Sequence, residues 1–169
     1  CLESCWQESE NASYLLELCQ LQANFQNWTY VADKADDLMT LIGTPDALSL
    51  AAQSTCQVGR AELCLQLLNN YRQLFPNGVF PPYLLRLKAY CLSQLGLISQ
   101  AITEAEELVR SHETAETLTT LIDLQIYQGD LRGAAIKVSR LLKQENLHSL
   151  SLLRIGRCLL SEDRNLARE

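Results

Sequence analysis

Few residues in this chain have the types and spacing that catalysis or metal binding requires. Its two histidines are His112 and His148, and neither has a cysteine or a second histidine at metal-ligand spacing. The seven cysteines are odd in number and dispersed, with no CxxC pair, which argues against both a disulfide framework and a zinc site. Cys19, Cys56, Cys64, Cys91 and Cys158 fall within helical apolar patterns, where cysteine acts as a small hydrophobe, so buried reduced thiols are expected. Cys1 and Cys5 lie four apart near one end and are the candidates for exposed thiols. Glu104, Glu106 and Glu107 crowd one helical stretch, as do Asp33, Asp36 and Asp37, and such runs read as solvated outer faces. No strand is expected, so no Gly-rich phosphate loop can follow one. The sequence therefore predicts no catalytic residue, no metal site and no cofactor, and the chain is not expected to be an enzyme.

Recognition chemistry is better represented. Tyr83, Arg86, Tyr90 and Gln94 recur at i, i+3, i+7 and i+11, which puts them on one face of a helix whose opposite side is rich in Leu. Tyr and Arg combine contact area with a directed hydrogen bond and are enriched at interface hot spots.

The elements that position these residues follow from a repeated punctuation. Short polar or glycine breaks fall at Gln26-Asn27, Gly59-Arg60, Gly96-Leu97, Gly129-Asp130 and Glu162-Asp163, at intervals of 33, 37, 33 and 33 residues. A helical stretch lies on each side of every break, and a period in this range marks stacked helix-turn-helix units. The clearest unit opens with Thr44 as a helix cap before Pro45-Asp46 and carries Leu48, Ala51, Ala52 and Thr55 at helical spacing. Its second helix is predicted from about Arg60 to Phe75, with Leu63, Leu67, Leu68, Tyr71 and Leu74 inward, and Pro76-Asn77-Gly78 stops it. The next first helix carries Leu84, Leu85, Leu87 and Ala89, and its partner carries Ala101, Ala105, Leu108 and Val109. Ala134, Val138, Leu141 and Leu142 continue the pattern. The longer interval coincides with Asn77 to Pro82, which reads as a tolerated surface insertion between units. Trp28, just after the first break, is expected to plug the gap between units.

These units resemble tetratricopeptide repeats, helix pairs of about 34 residues. The family places small residues where its two helices cross. They would correspond to Cys19, Ala52 and Ala89 in first helices, and to Cys64, Ala101, Ala134 and Ala167 in second helices. Ile122 and Ile155 depart from that pattern, as does Val31, and the Gly-Asp turn is literal only at Gly129-Asp130. The resemblance implies an all-α, right-handed superhelical array of about five antiparallel helix pairs. As one repeat domain over 1–169, the units would be 12–43, 45–76, 82–112, 115–146 and a truncated 148–169. It also implies a concave groove lined by first helices that holds a peptide or a partner helix. On that reading Gln53, Gln57, Asp123 and Tyr127 join Tyr83, Arg86, Tyr90 and Gln94 as the partner-binding residues. Some members clamp a terminal carboxylate with paired Lys and Asn. Here Asn24 and Arg86 occupy comparable faces without a repeated Lys/Asn pair, which disfavours such a clamp.

Composition fits this picture. Leu is the commonest residue, while 7 Gly and 4 Pro in 169 residues suit helices better than a sandwich or barrel. The net charge is −6, with 14 basic residues scattered among 20 acidic ones, so no nucleic-acid partner is expected and a protein partner fits better. No apolar run is long enough to span a bilayer, and no signal peptide is evident, which leads to an expected cytoplasmic location. Asn11-Ala12-Ser13 and Asn27-Trp28-Thr29 match the glycosylation triplet and read as incidental. The chain opens on Cys1 and stops a few residues into its last second helix, as if cut from a longer protein. Leu159, Leu160 and Leu166 then lack a covering repeat, so a homodimer through the uncapped end is one expectation. A regulatory sensor segment of a larger signalling or transcription-regulating protein, or a structural spacer, stands as the alternative to an interaction scaffold.

Overall fold

The computed structural model describes residues 12–142 and Gly156. Its contacts divide the chain between Leu95 and Gly96 into two compact units, each described by itself. The first holds α1 (Ala12–Asn24), α2 (Trp28–Asp33), α3 (Ala35–Leu41), α4 (Pro45–Gln57), α5 (Ala61–Asn70) and α6 (Pro82–Gln94). The second holds α7 (Ile98–Ser111), α8 (Ala115–Gln128) and α9 (Leu131–Leu141). Among the described residues there is no strand.

The breaks read from the sequence are the points where the backbone turns left-handed. Gln26 (φ 59°), Gly59 (φ 77°), Gly96 (φ 75°) and Gly129 (φ 89°) each follow a first helix. Three of these turns close with the same reach-back bond, among them the Asn27 amide to the Gln22 carbonyl and the Asp130 amide to the Gln125 carbonyl, both at 2.9 Å. The Arg60 amide does the same to Thr55 at 2.8 Å. This bond satisfies a carbonyl orphaned at the helix end and reverses the chain within a few residues, so the flanking helices pack antiparallel. The expected break at Glu162-Asp163 lies outside the described residues.

Helix starts follow local chemistry as well. The Ala47 amide donates to Thr44 Oγ1 at 3.3 Å, with Pro45 in the first helical position, as the sequence predicts. Thr114 caps α8 through a reciprocal pair: the Thr117 amide donates to Thr114 Oγ1 at 3.2 Å, and the Thr114 amide donates to Thr117 Oγ1 at 3.0 Å.

Three local details differ from the sequence expectation. The helix predicted to run to Phe75 ends at Asn70. The chain then tightens into two short 3-10 turns, Arg72–Leu74 and Pro76–Gly78. Pro76 accounts for part of this, since its ring disfavours helical backbone at Phe75, which is extended at φ −102° and ψ 145°. The second helix of the first pair is also divided, at Lys34, whose amide bonds the Val31 carbonyl three residues back at 3.1 Å. Finally, the Asn77-to-Pro82 connection is a packed plug. Phe80 is buried and meets Phe75 edge-to-face at 5.4 Å between ring centroids. The Arg72 guanidinium lies 5.8 Å from the Phe80 ring centroid and donates from Nε to the Gly78 carbonyl at 2.6 Å.

The core is built at the helix crossings. Cys19, Ala52, Ala89, Cys64, Ala101 and Ala134, the small residues marked in the sequence, are all fully buried. Cys64 of α5 reaches α4 directly, donating from Sγ to the Ala52 carbonyl at 3.3 Å, so these two crossing positions touch. Only small side chains let two helix backbones approach this closely. Val31 and Ile122, where the pattern departs from small residues, are buried too. Around the crossings sit Leu38, Leu48, Leu67, Leu68, Leu84, Leu108, Leu118 and Leu141, none of which exceeds 4 % exposure. Burying a Leu side chain contributes roughly 1.5–3 kcal/mol, so these positions carry much of the stability of each helix pair. Leu63, Tyr71, Leu74, Leu87 and Trp28 are half-buried, and Leu142 is exposed. Cys1, Cys5, Asn11, His148, Ile155, Cys158, Ala167, the fifth pair and the apolar end at Leu159, Leu160 and Leu166 lie outside the described residues.

Candidate partner-binding face

The α4 and α6 helices run side by side and in the same direction. The α5 helix reverses the chain between them, and their starts meet: the hydroxyls of Ser49 and Tyr83 share a hydrogen bond between residues 34 apart in sequence. The partners are first helices of successive pairs.

That alignment brings two rows together. Ser49, Gln53 and Gln57 stack at i, i+4 and i+8 on α4, with both glutamines exposed. Beside them on α6, Tyr83 is 44 % and Tyr90 52 % exposed, and Gln94 is exposed at the helix end. Arg86 is half-buried and already engaged in contacts within the protein. The Tyr83 hydroxyl is committed to Ser49, so this residue offers its ring more than its oxygen. In the second unit, α8 presents Tyr127 at 76 % exposure and Asp123 half-buried, one turn apart.

These residues occupy equivalent places in their helices. Gln53, Tyr90 and Asp123 each lie six residues before the left-handed turn residue, and Gln57, Gln94 and Tyr127 lie two before it. In α1 the same offsets give Gln20 and Asn24, both exposed. The two columns carry amide, phenol and carboxylate groups and no large aliphatic side chain. Gln20 and Ser49 were not singled out from the sequence. Their signal was the repeat offset itself, which becomes usable once the turn residues are fixed.

Of the two acidic runs, Glu106 and Glu107 are exposed while Glu104 is half-buried, and the Asp33-to-Asp37 run lies at the surface. Asp33 pairs with Arg60 at 2.6 Å and Asp37 with Lys34 at 3.1 Å, all at least partly exposed. Surface pairs of this kind contribute at most about 1 kcal/mol. His112 is exposed at the end of α7. No group of His, Cys, Asp or Glu among the described residues has an arrangement that could hold a metal ion. No described helix is long and apolar enough to cross a membrane.

The cysteines hold a feature that their spacing alone does not reveal. Cys56 of α4, Cys64 of α5 and Cys91 of α6 lie near enough to shift one another's thiols. Cys64 and Cys91 are fully buried, whereas Cys56 is half-exposed. The nearby Cys91 holds the Cys56 thiol below the ordinary thiol range, against the opposing effect of burial. Cys91 moves the opposite way, pushed up by Cys56 and Cys64 and by burial. Cys19 sits apart on α1, and burial pushes its thiol up to about 11.

Comparison with solved structures decides the fold. MamA 41-end from Desulfovibrio magneticus RS-1 matches over 86 % of this chain and 84 % of its own, with a TM-score of 0.75 at 14 % identity. The chain has the tetratricopeptide-repeat fold. YrrB, described as a TPR protein with an unusual peptide-binding site, matches over 96 % of this chain and 84 % of its own, with a TM-score of 0.71 at 13 % identity. The thermophilic TPR protein TTC0263 of Thermus thermophilus gives 94 %, 87 %, 0.71 and 16 % for the same four quantities. No family model and no curated protein matches the sequence. In the terms of this fold, α1, α4, α6 and α8 are first helices of the repeats. The exposed columns therefore lie on the first helices, the elements to which the sequence reading assigned partner binding.

Proposed function

We propose that this chain is a protein–protein interaction scaffold whose first-helix face binds an extended peptide or a partner helix. The observation that carries the reading is the pair of polar and aromatic columns at equivalent repeat positions, with Gln53 and Gln57 aligned beside Tyr83, Tyr90 and Gln94. Such a face suits peptide backbone. Glutamine amides donate and accept at once, matching the N–H and C=O groups of an extended chain, while tyrosine rings cover the side chains between them. Arg86, half-buried on α6, belongs to this face, and Asp123 and Tyr127 hold the equivalent repeat positions on α8. The peptide-binding site attributed to YrrB supports the reading by analogy of fold. A reversible scaffold of this kind works near micromolar affinity, about −8 kcal/mol.

A displayed library of defined peptides, selected on the intact chain, tests the proposal. The expected outcome is that selected peptides lose at least about tenfold in affinity against a Gln57→Ala/Tyr90→Ala double variant, which removes exposed groups and leaves helicity by circular dichroism unchanged. Equal affinity for the variant would reject this face.

A further inference from the structure

We propose that the first-helix face of the first unit selects peptide segments free of charged side chains, holding an extended run of about six residues through its backbone. This selectivity rests on the scaffold function proposed above and names the kind of sequence that the face accepts. Within the first unit α1 touches α4 and α4 touches α6, so the two columns continue across three neighbouring first helices. One column holds Gln20, Gln53 and Tyr90 and the other Asn24, Gln57 and Gln94, all exposed. Five of these six side chains end in a carboxamide and the sixth in a phenol, and none belongs to Asp, Glu, Lys, Arg or His.

The neutrality is local. The charged residues of α1, α4 and α6 are Glu17, Asp46, Arg86 and Lys88, two of each sign, whereas the whole chain carries a net charge of −6. Acidic residues gather elsewhere, with Asp33, Asp36 and Asp37 on α2 and α3, and Glu104, Glu106 and Glu107 on α7. Arg86 and Lys88 are half-buried and engaged in contacts within the protein. Glu17 and Asp46 are exposed and lie three residues before Gln20 and seven before Gln53, on the side of the helix starts.

Selection follows from what a carboxamide can do. It donates and accepts at once, so it pairs with the N–H and C=O groups of an extended backbone whatever the peptide side chains are. A Lys, Arg, Asp or Glu side chain seated among these amides would give up water and gain no counter-charge. The rival ligand is a basic peptide drawn to the faces of the Tyr83 and Tyr90 rings. Its cation would meet no carboxylate in the columns. In the second unit the position equivalent to Tyr90 is Asp123, so the repeat tolerates an acid there and the first unit lacks one. Packed helices lie about 8–10 Å apart and extended chain advances about 3.3 Å per residue, so about three peptide residues separate contacts on successive helices.

The test selects a displayed library of defined peptides on the intact chain and measures the affinity of the selected sequences. The expected peptides share a run of about six positions depleted in Asp, Glu, Lys and Arg, and their Kd changes less than about twofold between about 50 and about 500 mM salt. Placing Lys or Glu at the centre of that run should weaken binding at least about tenfold. A Gln53→Asp variant, exposed and able to fold, should bind the Lys-centred peptide more tightly than the unmodified chain does, and high salt should erase that gain. Selected runs rich in Lys and Arg, or in Asp and Glu, with salt-dependent Kd would overturn the proposal. If those peptides still lost affinity to the Gln57→Ala/Tyr90→Ala variant, the scaffold function would stand without the neutral selectivity. A bound peptide that gains helix, seen by circular dichroism, would overturn the extended mode. Peptides indifferent to the double variant would reject the face, and the selectivity with it.

Discussion

The turn at Gln26-Asn27 and the turn at Gly129-Asp130 make the same reach-back hydrogen bond with different residues. In the second turn, glycine takes the left-handed position, and the Asp130 carboxylate accepts from the Gly133 amide at 2.9 Å, capping α9. In the first, glutamine is held at φ 59°, and Asn27 makes no capping bond; its side-chain amide donates to Gln22 Oε1 at 2.9 Å. The repeat thus enforces the turn even where the local residues do not favour it. A left-handed non-glycine residue costs roughly 1–2 kcal/mol, which packing of Leu15, Val31, Ala32 and Leu38 must offset. The contrast separates the parts of the motif that the fold requires from those that merely help.

Substitutions can break this comparison in a graded order. Gly129→Val should cost the most, at least about 2 kcal/mol by urea unfolding, because a β-branched residue is strained there. An added Cβ at Gly129 would meet no atom within 4 Å, so the cost arises from the φ of +89° and not from a clash at that atom. A change in melting temperature within error would mean that the turn relaxes freely. Asp130→Ala removes the α9 cap and should destabilise by about 1 kcal/mol. Gln26→Gly should work in the other direction, stabilising by about 0.5–1 kcal/mol after allowing for the freedom glycine adds to the unfolded chain. Its failure to stabilise would show that Gln26 has a compensating contact. Smallest of all, Asn27→Asp should gain about 0.3 kcal/mol by adding a negative charge at the start of α2, and that gain should shrink in high salt.

The same pair of turns explains what the sequence could disclose. Glycine at a fixed interval is a signal that one residue carries by itself, so Gly59, Gly96 and Gly129 mark the turns without help. Gln26 is found only by counting back from them. Small residues at the crossings were equally legible, because Ala52, Ala89 and Ala134 answer a steric demand that recurs in every pair. Features made by residues from different repeats were not. The Ser49–Tyr83 bond and the meeting of Cys56, Cys64 and Cys91 depend on how one first helix is phased against the next. Periodicity gives the face of a helix, but it leaves open the neighbour's offset along the axis. The packed role of Phe80 was hidden for another reason. Flanked by Val79 and two prolines, it carries the local signature of a loop, and only its partners Phe75 and Arg72 make it core.

That plug bears on how such an array can change its length. A few extra codons inserted between repeats would ordinarily leave a floppy excursion open to proteases. Here the additional residues bring their own anchor, one aromatic ring to fill space and one guanidinium to hold the returning backbone. An insertion that supplies its own anchor can be inherited as a block, leaving the helices on either side free to keep the spacing they already had.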